Sequence, residues 1–135
     1  MTIQDQLNEL QELFSIFDNP KDKFVQLMDM AKESQGLSQS EMIEENKIYG
    51  CTSQAWIVAS KNEDNTFTFR TDSDAMIVKG LLVLLEKIFN NQLAADILST
   101  NSQDILLSVG LDGAVTNQRT NGFASAIQKI QEIVT

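Results

Sequence analysis

AWIVASKNEDNTFTFRTDSDAMIVKGLLVLLEKIF, residues 55–89, is the stretch that decides the fold. Two periodicities follow one another in it. Ala55, Ile57 and Ala59 alternate with Trp56, Val58 and Ser60, the period-two pattern of a strand with two unlike faces. Lys61-Asn62-Glu63-Asp64-Asn65 is a turn signal, after which Thr66-Phe67-Thr68-Phe69-Arg70 alternates again with both phenylalanines on one face. From Ala75 to Phe89 the chain is almost continuously apolar, broken by Lys79, Gly80, Glu86 and Lys87. That predicts a buried helix, too short and too interrupted to cross a bilayer core of about 30 Å. Asp72, Ser73 and Asp74 stand just before it, where side-chain oxygens are expected to cap the helix.

Working upstream, Lys47-Ile48-Tyr49 reads as a short strand leading into Gly50-Cys51. Residues 47–72 are therefore predicted to form a small three-stranded antiparallel meander with one covered face. Ile3, Leu7, Leu10, Phe14 and Phe17 recur at helical spacing and mark a first helix. A second helix is expected to start with Asn19 as N-cap and Pro20 at its first position. It would bury Phe24, Leu27, Met28 and Ala31 and stop at Gly36. Ser40-Glu41-Met42-Ile43 is expected to add one helical turn. Downstream, short helices are predicted around residues 91–98 and 102–109, with Gly110 and Gly113 at the following break. Thr116 is the expected N-cap of a last helix whose stripe is Phe123, Ala126, Ile127, Ile130 and Val134. Helices before and after a short sheet predict an α+β fold with helices packed on the sheet. The 135 residues contain no repeat and no linker, so a single domain over 1–135 is expected.

Composition narrows the chemistry. A net charge of -9, from 19 acidic and 10 basic residues, is wrong for a nucleic-acid binder, which needs a cationic footprint. The start MTIQDQLNEL has no basic segment followed by an apolar run, so a cytoplasmic protein without a signal peptide is expected. The chain has no histidine, which excludes Ser-His-Asp triads, Cys-His hydrolases and histidine metal sites. A single cysteine excludes an internal disulfide, CxxC redox chemistry and any cluster held by several thiolates of this chain.

Cys51 is the leading candidate for chemistry. A free cysteine is often just a small buried hydrophobe. This one, however, lies between Gly50, which permits unusual backbone beside the sulfur, and the polar residues Thr52, Ser53 and Gln54. A thiol on such a loop can reach another protein. Arg119 is the cation of interest, because a positive charge at a helix start opposes the helix dipole and has no purely local rationale. Asp72 and Asp74 are better explained as caps than as a metal pair, with a docking contact also open to Asp74. Lys79 is expected to lay its stem on the core edge with its ammonium in water, and Gly80 to allow close helix packing. Trp56, Phe67 and Phe69 are assigned to sheet packing, and Met28, Met30, Met42 and Met76 to the core. Gly110-Leu111-Asp112-Gly113 lacks the ending of a phosphate loop.

Three blocks resemble the SufE family of sulfur acceptors and its CsdE relatives. They are Gly50-Cys51-Thr52-Ser53-Gln54-Ala55-Trp56, then Asp72-Ser73-Asp74-Ala75-Met76-Ile77-Val78-Lys79-Gly80, then Arg119-Thr120-Asn121-Gly122. The chain departs from the family pattern at residues 36–40 and at Asn117, where the family carries proline. The resemblance implies a carrier rather than an independent enzyme. Cys51 would accept sulfur as a persulfide from a cysteine desulfurase of the SufS or CsdA type. It would pass it on to an iron–sulfur scaffold of the SufBCD type. The pyridoxal phosphate would belong to the desulfurase, so this chain needs no cofactor. Gly50, Ser53, Asp74 and Arg119 would shape the thiol's surroundings or the partner interface. The competing readings are a cluster scaffold of the IscU kind, which the lone cysteine disfavours, an independent thiol enzyme, which the absence of histidine disfavours, and an interaction module with an incidental cysteine.

Overall fold

The computed structural model describes residues 1–51 and 53–135, except the side chains of Ser102 and Gln103. Thr52, read above as a polar neighbour of the thiol, lies outside the described residues. Helix α1 (Ile3–Ser15) opens with a capping box in which Thr2 and Asp5 each accept the other's backbone N–H. Helix α2 (Pro20–Glu33) starts as predicted, the Asn19 side chain accepting from the Asp22 N–H. It ends at Glu33, before Gly36 is reached. Gly36, with φ +66°, serves a different purpose: a Cβ there would lie 2.4 Å from Oδ2 of Asp72. The glycine lets the chain pass against that carboxylate, which accepts the Leu37 N–H at 3.0 Å. Residues 37–46 then run as a strap tied to the sheet by Glu41, which pairs with Arg70. The Arg70 guanidinium holds the Glu41 carboxyl down at about 2. The turn expected at residues 40–43 begins at Ser38, whose carbonyl accepts the N–H groups of Glu41 and Met42, and a 3-10 turn follows only at Glu44–Asn46.

Strands β1 (Ala55–Lys61) and β2 (Thr66–Ser73) pair antiparallel from Ala55 opposite Ser73 to Lys61 opposite Phe67. Asn65 supplies the positive φ of the connecting turn. The sheet has three strands, as the sequence predicts, but the third is not residues 47–49. It is β3 (Gln92–Leu93), which pairs with Thr66 and Phe67, so the order is β1-β2-β3. The 47–49 segment makes one bridge, Lys47 to Trp56, and the Ile48 N–H bonds the Ala55 carbonyl. Gly50, with φ +94°, then turns the chain away before a strand can extend. Because β3 is so short, α3 (Met76–Phe89) completes the β2 edge with side chains one turn apart. Asn90, just past its end, accepts the Phe69 N–H at 2.7 Å, and Glu86 accepts from Thr71. Burial nevertheless pushes the Glu86 carboxyl above its ordinary value.

Helix α3 is the spine of the molecule, packed by α2, β2, α1 and the final helix. Ile77, Leu81, Leu84, Leu85, Ile88 and Phe89 are buried along it. Helices α4 (Ala94–Leu98) and α5 (Ser102–Ser108) lead to α6 (Asn117–Val134), whose predicted stripe from Phe123 to Val134 is buried throughout. Phe67 and Phe69 stack at 6.2 Å on the covered face of the sheet. Some side-chain expectations also fail. Lys79 does not hold its ammonium in water; it lies 3.5 Å from Oδ1 of Asp72 with its side chain only 18% exposed. Met76 is exposed rather than core, because it opens α3 on the outward side.

Gly80 allows α3 to touch the α2 backbone: a Cβ at this position would stand 2.3 Å from the Leu27 carbonyl oxygen. Backbone cannot give way as a flexible side chain does. Gly80→Ala should therefore destabilise by about 1–3 kcal/mol through overpacking, outweighing the gain of about 1 kcal/mol in helix propensity. Urea unfolding checks this, and an unchanged or raised midpoint would contradict it.

Candidate functional site

Two glycines seat the Cys51 loop on α6. A Cβ on Gly50 would stand 2.4 Å from the Ser125 hydroxyl, and a Cβ on Gly122 would stand 3.2 Å from the Cys51 sulfur. The loop therefore lies directly against the helix, and the half-buried thiol donates to the Gly122 carbonyl at 3.6 Å. Gly122 belongs to the third sequence block, but only the folded chain reveals that its lack of a side chain makes room for the sulfur. Ser125, which supports Gly50, gave no sequence signal at all.

The other end of the loop is clasped by the β2–α3 junction. Gln54 donates its N–H to Oδ1 of Asp74 at 3.0 Å. Its carbonyl accepts from the Ser73 hydroxyl at 2.7 Å and the Asp74 N–H at 3.2 Å. This corrects the capping assignment. The N-cap of α3 is Ala75 and no side chain caps it in the usual position, although the Ser73 hydroxyl accepts the Ala75 N–H. The carboxylates are engaged elsewhere: Asp72 by the N–H groups of Leu37 and Ser73 and by Lys79, Asp74 by Gln54.

Beside the sulfur is a cavity of about 20 Å³, walled by Val78, Leu81, Leu82 and Phe123, with Gln118 and Arg119 also contributing. That is room for about one water-sized atom, and most of the wall is apolar. Burial pushes the Cys51 thiol above its ordinary value, so at neutral pH it is protonated and a poor nucleophile. Arg119 lines the same cavity, as the sequence suggests, but its guanidinium lies over the Phe24 ring at 5.9 Å. This cation–π contact gives the arginine a local partner despite its place in the first turn of α6. Ser53 is not among the residues of the cavity. Among the described residues, no three of Asp, Glu and Cys converge as metal ligands, and no helix is long and apolar enough to cross a membrane.

If Asp74 clasps the loop, Asp74→Ala should raise the alkylation rate of Cys51 several-fold while costing about 1 kcal/mol of stability, the worth of one hydrogen bond. Timed iodoacetamide labelling followed by mass measurement reads the first effect. A stability loss with no change in labelling would return Asp74 to a purely structural role.

Comparison with known proteins agrees with this architecture. The SufE family, described as an Fe-S metabolism associated domain, matches residues 8–134. An uncharacterized SufE-like protein of Rhizobium meliloti is 31% identical, over 93% of this chain and 91% of that protein. A SufE-like protein of Synechocystis is 32% identical, over 96% of this chain and 80% of its own length. The chain is also 32% identical to the chloroplastic/mitochondrial SufE-like protein 1 of Arabidopsis thaliana, where it covers 93% of itself but only 34% of the plant protein. A hypothetical protein of Thermus thermophilus, solved in solution, shares the fold with a TM-score of 0.76 at 18% identity, over 96% of this chain and 93% of that one. The thiol loop, the α+β architecture and a match across nearly the whole chain place this protein in the SufE family of Fe–S metabolism.

Proposed function

We propose that Cys51 is a sulfur acceptor that takes persulfide sulfur from a pyridoxal-phosphate cysteine desulfurase of the SufS or CsdA type. The single observation that carries this reading is the lone thiol beside an apolar cavity of about 20 Å³. A persulfide adds one polarisable sulfur to the cysteine, and this cavity matches that addition in size and polarity. Partial burial would slow attack on it by solvent thiols and oxidants.

The step balances without an external redox partner. The Cys51 thiolate attacks the outer sulfur of the desulfurase persulfide. A new S–S bond forms on Cys51, the donor S–S bond breaks, and the donor cysteine leaves as thiolate. The Cys51 proton must depart first. This chain has no histidine, and burial holds the thiol protonated. Ionisation therefore belongs to the docked complex, where the loop leaves the Gly122 carbonyl. Gly50 supplies the pivot, and Asp74 and Ser53 lie on the loop's flank where a partner would engage. Arg119 is the cation that lines the cavity a persulfide would enter. The chain acts as carrier and desulfurase activator, not as an enzyme by itself, and passes the sulfur to an iron–sulfur scaffold of the SufBCD type.

Intact-mass measurement after incubation with a desulfurase and cysteine tests the reading. The protein should gain about 32 Da for each sulfur added and should speed sulfide release in the presence of reductant. Cys51→Ser should lose both effects. In the same assay, an unchanged transfer rate in Arg119→Ala would remove the arginine from the account. No mass gain and no stimulation with either desulfurase type would leave the interaction-module reading.

A further inference from the structure

A second cleft, of about 370 Å³, opens between the last turn of α2, the β2 edge and the second half of α3, and shares no residue with the Cys51 cavity. That volume lies in the range of small-molecule sites. Its ionisable lining carries both signs: Glu33 and Glu86 against Lys87 and Arg70. Arg70 is already matched by Glu41. The other three make no close ion pair, although Lys87 and Arg70 both act on Glu86 from a distance. Among the described residues the ion pairs are Arg70–Glu41 and Lys79–Asp72, so Glu33, Glu86 and Lys87 face the cleft without one. Glu86 is held by the neutral hydroxyl of Thr71, a buried residue. One wall is the C-terminal turn of α2, the end of a helix that favours positive charge.

We infer that this cleft binds a small zwitterion of the free α-amino-acid type, its ammonium between Glu33 and Glu86 and its carboxylate on Lys87. The charge count selects this class. A bare carboxylate would meet two like charges, and a bare amine would leave Lys87 unmatched beside a second cation. A zwitterion satisfies both walls at once. Burial raises the Glu86 carboxyl even with Lys87 and Arg70 acting on it from a distance, and an arriving ammonium would give it a direct partner. The inference does not depend on sulfur transfer, since it uses no residue of the thiol site.

The test is an amide NMR titration of the full chain with L-alanine, which has no thiol to react with Cys51. Saturable shifts are expected around residues 33–36, 70–71 and 86–87, with half-saturation on the order of 1 mM for so small and open a site. Propionate and ethylamine, each carrying half of the zwitterion, should bind at least about tenfold more weakly, the worth of one lost charge contact. Lys87→Met, at an exposed position, should weaken L-alanine about tenfold without changing the thermal melt, and Glu86→Gln, which keeps an acceptor for Thr71, should do likewise. If Glu86→Gln does not fold, Lys87→Met carries the test alone. No saturable shift at about 10 mM, tenfold above that Kd, would overturn the inference. So would equal binding of propionate or ethylamine, or unchanged binding by Lys87→Met.

Discussion

The site depends on one steric constraint: the loop that carries Cys51 lies this close to α6 because no Cβ stands between them. Gly50 turns the chain at φ +94° against Ser125, and Gly122 leaves space beneath the sulfur. Close approach has an electrostatic consequence. It takes the thiol out of water, gives it a carbonyl as hydrogen-bond partner and raises its pKa. The carbonyl accepts from the neutral thiol and would repel the thiolate. Packing thus sets the protonation state, and the protonation state sets the reactivity. A partner that lifts the loop by a few ångströms would reverse all three.

The end of β2 is the second organising point. Between them Arg70, Asp72, Ser73 and Asp74 reach three parts of the chain: the strap through Glu41 and Leu37, α3 through Lys79, and the thiol loop through Gln54. Strap, spine helix and functional loop therefore share one short stretch of strand. Few of these bonds are strong alone, since a hydrogen bond contributes about 1 kcal/mol net. Their convergence makes the geometry of the loop a property of the whole β2–α3 corner. The neighbouring edge of β2 is finished by Asn90 and Glu86, so α3 both covers the sheet and closes it.

What was legible in the sequence was local. Asn19, Pro20 and Thr116 declared their helix starts because capping is a matter of a few residues. The apolar periods of α3 and α6 declared their buried faces. What was illegible depended on distant partners. The Asp72–Asp74 block reads as a cap, since nothing local reveals that Leu37 and Gln54 need those carboxylates more. Lys79 reads as a snorkelling lysine because its partner Asp72 lies outside its helix, in β2, across the strand–helix corner. Strand β3 is two residues long and has no period to detect. At the site, the motif singled out Cys51 and Arg119, and the fold brings both to one cavity. Val78, Leu81, Leu82 and Phe123 read only as core, because core and cavity wall have the same composition until the space between them is seen.

The central claim is that the free protein keeps its only thiol guarded and protonated until a partner draws it out. The pH dependence of Cys51 alkylation by iodoacetamide, set against a free cysteine peptide, tests this most directly. The account predicts labelling at neutral pH at least about tenfold slower than the peptide, with a titration midpoint above the peptide's own. Labelling as fast as the peptide, with a midpoint at or below the peptide's, would contradict it.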